Sequence, residues 1–171
     1  MKINLFILLF ASLIGCEQCE DNLTELEKLP PATQEGKNTF GCLVNGKAWV
    51  PKTSIDAAAF YQGGLLSIGA DLVSPDQSIG LSIYDEGVRI ATGDFFELGI
   101  NPTICRARFF DGSSEFYCYY SAAETISGKI TISNLDEKKF VVSGQFEFVT
   151  NLIGCDTIKI THGRFDLHYA P

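Results

Sequence analysis

Between residues 139 and 149 the chain repeats with a period of two. Phe140, Val142, Gly144, Phe146 and Phe148 are set to point one way, and Ser143, Gln145 and Glu147 the other. Only a β-strand puts every second residue on one face. The same period runs through 126–133, where Ile126, Gly128, Ile130 and Ile132 oppose Ser127, Lys129, Thr131 and Ser133. A chain built this way has one wet and one dry face per strand and must cover the dry one.

From Thr39 onward short alternating runs are divided by Gly, Asn, Asp and Pro turns. Strands are predicted at 56–62, 65–73, 78–85, 88–92, 103–110, 114–120, 126–133, 139–149 and 157–169, after an opening hairpin over 41–50. Asn45-Gly46 supplies its type I′ turn. There is no repeat and no amphipathic helix of useful length. The expected architecture is an all-β antiparallel sandwich of about 9–11 strands. A closed calycin-like barrel uses the same alternation and remains the alternative. In the last run Ile158 and Ile160 are even while Phe165, Leu167 and Tyr169 are odd. One extra residue near His162-Gly163 restores a common face, which predicts a β-bulge there.

The 171 residues carry 13 basic and 21 acidic side chains, a net charge of −8. That balance argues against nucleic acid and against polybasic docking to anionic lipid. Met1-Lys2 followed by an apolar run from Ile3 to Ile14 reads as a secretory signal over 1–15. The run has about 12 residues, short of the roughly 20 that a spanning helix needs. Leu13-Ile14-Gly15-Cys16 resembles the lipobox of bacterial lipoproteins. The resemblance implies a diacylglyceryl group on Cys16, cleavage before it, and a chain held to the outer membrane by lipid, on its periplasmic or cell-surface face. Residues 16–38, acidic and containing Pro30-Pro31, read as a tether, and 39–171 as a single domain. The acids after Cys16 (Glu17, Glu20, Asp21) resemble the surface-export signal of Bacteroidetes-type lipoproteins; a plain solvated linker has the same composition.

An exported chain meets an oxidising compartment, so its remaining five cysteines are expected to form disulfides with one left over. Cys19, in the tether, is the expected remainder. If Asp111-Gly112 forms a type I′ turn, Arg108 faces Glu115, Arg106 faces Tyr117 and Cys105 faces Cys118. That pairing predicts a Cys105–Cys118 bridge, and elimination leaves Cys42 with Cys155. The same register puts Cys105, Ala107, Phe109, Phe116 and Cys118 on one face. Arg106, Arg108, Tyr117 and Tyr119 share the other face, where guanidinium groups and phenol rings suit a glycan or a partner protein. A second sheet packed on that face would explain them equally.

No catalytic constellation emerges. His162, His168 and Asp166 lack a third metal ligand, and no Gly-x-Ser-x-Gly elbow is present. Neither a metal, a cofactor nor an enzymatic activity is expected. Asp156-Thr157-Ile158 resembles the Asp-Ser/Thr-aliphatic site of Bacteroidetes O-glycosylation, though Thr157 also reads as an ordinary strand residue.

Two longer segments, residues 39–51 (TFGCLVNGKAWVP) and 158–167 (IKITHGRFDL), are similar to the opening and final strands of a group of small Bacteroidetes-type lipoproteins with no assigned activity. The resemblance implies location and fold only. The expected function is a lipid-anchored, non-enzymatic binding module for a glycan or partner protein. The alternatives are a barrel carrying a small apolar ligand and, less favoured, a hydrolase joining His162 or His168 to a carboxylate.

Overall fold

The computed structural model describes residues 23–171 apart from Glu86, Val88, Glu115 and Phe116. The signal segment, Cys16, Cys19 and the tether up to residue 22 lie outside the described residues. Eleven strands make up the fold: β1 (Thr39–Val44), β2 (Lys47–Trp49), β3 (Ala57–Gln62), β4 (Leu65–Val73), β5 (Asp76–Tyr84), β6 (Phe95–Leu98), β7 (Cys105–Asp111), β8 (Cys118–Tyr120), β9 (Thr125–Asp136), β10 (Val141–Thr150) and β11 (Ile158–Ala170). Two single 3-10 turns, Ser54–Asp56 and Ala122–Glu124, are the only helical segments among the described residues.

The strands form an all-β sandwich whose two layers are joined through β11. One layer runs β6-β9-β10-β11, with β1 and β2 beyond it. The other runs β3-β4-β5-β7-β8. The end of β11 crosses into this second layer, where Tyr169 and Ala170 pair in parallel with Ala59 and Phe60. The sheet is therefore mixed rather than purely antiparallel. It is also not closed, because the path ends at β6 on one side and β8 on the other. The closed-barrel alternative is set aside on that ground. The space between the layers is filled: Phe40, Phe146, Phe148 and Phe165 from one side meet Ile68, Leu81, Phe109 and Tyr120 from the other in one buried cluster.

Local sequence explains the elements. Asn45 (φ 48°) and Gly46 (φ 80°) form the predicted two-residue turn, with Val44 opposite Lys47. The bulge lies where parity demanded it. Phe146 pairs with Gly163 and Phe148 with Ile160, so Glu147 spans two residues of β11. His162 takes the extra position at φ 54°. Ile158, Ile160, Phe165, Leu167 and Tyr169 thereby share the core.

Two glycines are fixed by close approach. Gly144 pairs with Phe165, and Gly163 with Phe146. A Cβ on Gly144 would stand 2.3 Å from the Thr131 carbonyl oxygen and 2.4 Å from the Phe165 ring. Each ring lies over the glycine across from it. Gly144→Ala is expected to cost about 1–3 kcal/mol by overpacking, measured as a lowered urea midpoint with an unchanged slope.

Several expectations need correction. The run 88–92 is not a strand over its described residues: Asp94 Oδ2 accepts from the Ala91 amide at 2.8 Å and closes a turn, and pairing begins at β6. Ile126 is exposed, because a register shift between Val149 and Thr150 turns Thr125 inward in its place. Phe140 stands at the turn into β10 rather than in the core.

Residues 23–38 are not a free tether. Leu29 is buried. The Glu25 carboxylate accepts from the Ala48 amide at 2.7 Å, and Arg164 donates to the Pro30 carbonyl at 3.2 Å. Residues 33–37 arch over Asp166, which is 1% exposed. Its Oδ1 accepts from the Gly36 amide and Ser143 Oγ at 2.8 and 2.7 Å. Its Oδ2 accepts from Thr33 Oγ1 at 2.5 Å and from the Glu35 and Lys37 amides, each at 3.1 Å. Ser143, assigned to the wet face by alternation, is buried beneath this arch.

Candidate functional site

The cysteines pair differently from the prediction. Cys118 bonds to Cys155, while Cys42 and Cys105 are buried free thiols. Both predicted bridges, Cys105–Cys118 and Cys42–Cys155, are thus overturned. The cause is the loop after β7. Asp111 Oδ1 accepts from the Ser113 amide and hydroxyl, the Ser114 hydroxyl donates to the Asp111 carbonyl, and the Cys118 amide donates to Ser114 Oγ. These side-chain bonds replace the tight turn with a longer loop, as short polar residues do when they compete with the ladder. Pairing resumes with Cys118 opposite Asp111, and Cys105 faces Ile83 of β5 instead. Burial pushes the Cys105 thiol up to about 12 and the Cys42 thiol higher, so neither is a nucleophile at neutral pH.

The slip is by an even number of residues, so the faces survive it. Cys105, Ala107, Phe109 and Cys118 are buried, and Arg106, Arg108 and Tyr119 are exposed on the outer face. Tyr117 is the exception. It stands in the loop at φ 49°, 69% exposed, and does not face Arg106.

The outer face of β3-β4-β5-β7-β8 has an order that single strands do not reveal. Register aligns Phe60, Ser67, Ser82 and Arg106 in one row across the sheet. The next row is Ala58, Gly69, Gly80 and Arg108. The third is Asp71, Ser78, Phe110 and Tyr119. The two middle strands therefore carry only Ser and Gly in the first two rows. They form a floor between Phe60, 45% exposed, and a wall of Arg106, Arg108, Phe110 and Tyr119. From β3 to β7 is about 14 Å at three strand spacings.

The floor holds two depressions. One, of about 280 Å3, lies against Arg106, Ser82, Tyr84 and Leu65. The other, of about 220 Å3, lies against Arg108, Ser78, Asp71 and Tyr119. Arg108 lies along the floor, with its Nη2 3.1 Å from where a Gly80 Cβ would be, so any side chain at position 80 displaces it. Arg106 is aimed by a hydrogen bond from its Nε to the Pro102 carbonyl. Among the described residues neither guanidinium is in an ion pair. Phenol edges, hydroxyls and two guanidinium groups over a flat polar floor can hold an extended polar ligand by stacking and charge-assisted hydrogen bonds.

The chain matches no family model, no curated protein and no solved structure. The site therefore rests on its own geometry.

The remaining candidates fall elsewhere. His162 is exposed at the bulge. His168 turns to Asn38, whose Oδ1 accepts from its amide at 3.0 Å, while Asp166 is committed to the 33–37 arch. Thr157 is exposed just before β11, its Oγ1 accepting from Asn151 Nδ2 at 2.6 Å. Sequence reasoning found the wall of the trough and missed its floor. The available signal was the run of Ser and Gly at alternate positions, 67 and 69, then 78, 80 and 82.

Proposed function

We propose that this protein is a lipid-anchored cell-envelope module that binds an acidic glycan along the outer face of β3-β4-β5-β7-β8. The observation that carries the reading is the pair Arg106 and Arg108, two residues apart on one strand face, beside the Ser/Gly floor and Tyr119. A chain with a net charge of −8 has carboxylates to spare, yet these guanidinium groups stand without one among the described residues. An external carboxylate or sulfate is the natural complement. The flat floor suits an extended chain, because β4 and β5 contribute no side chain longer than serine to its first two rows, and Arg108 lies along it. A partner protein could use the same charges and rings, but the floor between them carries no apolar side chain in its first two rows for such a partner to bury.

The anchor is proposed from Leu13-Ile14-Gly15-Cys16, with lipid on Cys16 holding the domain at the outer membrane. No described helix is long and apolar enough to cross a membrane.

Titration calorimetry with a uronate oligosaccharide tests the reading. Binding is expected to weaken as salt rises. Arg108→Ala is expected to weaken it roughly tenfold or more, as loss of a charge-assisted hydrogen bond implies. A Gly80→Val variant, which occupies the floor, is expected to do the same. Equal affinity for wild type and both variants contradicts the proposal.

A further inference from the structure

At one end of the sandwich, outside the trough, an open cleft of about 530 Å3 lies between the layers. Small-molecule sites occupy roughly 300–1,000 Å3. Three rings line it. Tyr169 of β11 is central, with Tyr61 of β3 meeting it at 6.1 Å and 71° and Phe140 at 5.8 Å and 88°. Around the rings stand Asp85, Arg89 and Glu137. The Tyr61 hydroxyl donates to Asp85 Oδ2 at 3.1 Å, and Arg89 pairs with Glu137 at 2.5 Å. The rest of the wall includes Gly63 and Gly64; Gly63, at φ 58°, has open space where a side chain would stand, and the Asp85 carboxylate fills that space at Gly64.

Phe140 is the telling residue. It sits at φ 53°, a conformation in which a bulky side chain is a genuine outlier. The Tyr169 amide donates to its carbonyl at 2.8 Å, which any residue allows. Glycine would serve the turn without strain. Instead the position holds a ring, 43% exposed, at the cleft. Strain of this kind gathers at ligand clamps and active sites.

We propose that the cleft is a second ligand site, taking the terminal pyranose of a neutral glycan; this rests on reading the domain as a glycan-binding module. A pyranose has an apolar C–H face for a ring and hydroxyls that both donate and accept. The cleft matches both, with aromatic surface beside two carboxylate acceptors, a guanidinium donor and two phenols that do either. An anion meets more negative than positive side chains here, and an organic cation has no use for the guanidinium. The sheet-face trough, by contrast, has two arginines that are in no ion pair among the described residues.

The test is saturation-transfer NMR of the purified full chain with methyl pyranosides of glucose, galactose, mannose and N-acetylglucosamine, and with choline as the cationic control. At least one pyranoside is expected to bind, with its ring protons nearest the protein, and choline is not. Phe140→Gly relieves the backbone strain while removing the ring, so its melting temperature is expected to stay within a few degrees of wild type. Its pyranoside affinity is expected to fall at least tenfold. Arg106→Ala and Arg108→Ala are expected to leave pyranoside binding unchanged, so failure of the trough and failure of the cleft are separate results. Binding of choline in preference to every pyranoside, no pyranoside binding at all, or full affinity in a folded Phe140→Gly variant overturns the proposal.

Discussion

Asp166→Asn is expected to lower stability by about 3 kcal/mol, the scale of buried hydrogen bonds to a charged group left unmade. The carboxylate accepts five bonds through two oxygens. Asparagine keeps one oxygen. Whichever way its amide turns, at least two donors meet an NH2. Burial alone pushes the Asp166 carboxyl up. The bonds from Thr33, Ser143 and the Lys37 and Gly36 amides outweigh it and hold the group at about 2. A depressed carboxylate stabilises the fold above the unfolded value near 3.8 and loses that contribution as pH falls toward 2. The shift corresponds to about 2.5 kcal/mol at 1.36 kcal/mol per unit. The wild type should therefore lose stability between about pH 4 and 2, and the variant should lack that limb. Hydrogen exchange at the Glu35, Gly36 and Lys37 amides gives the local readout. Unchanged protection in a variant of unchanged stability contradicts the role of Asp166 in holding the arch.

Removing the Cys118–Cys155 bridge by a Cys118→Ala/Cys155→Ala double variant is expected to cost about 4 kcal/mol. The bridged residues are 37 apart, and loop-closure entropy for a loop of that size gives this figure. For a domain of this size it corresponds to roughly 10 °C in melting temperature. The bridge holds the loop between β10 and β11, where the Tyr120 hydroxyl also donates to the Asp156 carbonyl at 2.6 Å. A reductant should lower the wild-type melting temperature by a similar amount. It should leave the double variant unmoved, since Cys42 and Cys105 are thiols already. A reductant effect that persists in the double variant, or is lost in Cys105→Ala, contradicts the assigned pairing.

These two variants also mark how far the sequence could be read. Faces were legible because burial has period two and tolerates an even slip. Arg106, Arg108 and Tyr119 were placed outside correctly, although their hairpin partners were wrong. The β11 bulge was legible for the same reason, since a parity change has few causes. Pairing was not legible at Asp111, because its side chain and those of Ser113 and Ser114 build a loop that competes with the tight turn Asp-Gly suggests. The docking of 33–37 escaped as well. Polar residues beside Pro30-Pro31 look like a linker, and their anchor, Asp166, lies more than 100 residues away with no local mark. The floor of the trough needed the register of four strands before its serines and glycines became neighbours.

The proposal of glycan recognition on the sheet face is tested most directly by amide chemical-shift mapping during titration with a uronate oligosaccharide. The account predicts shifts confined to the outer-face rows, foremost Ser67, Gly69, Ser78, Gly80 and Ser82 on the floor and Arg106, Arg108 and Tyr119 on the wall. Saturating shifts elsewhere that leave those residues unmoved, or no shifts with any acidic oligosaccharide tried, would contradict it.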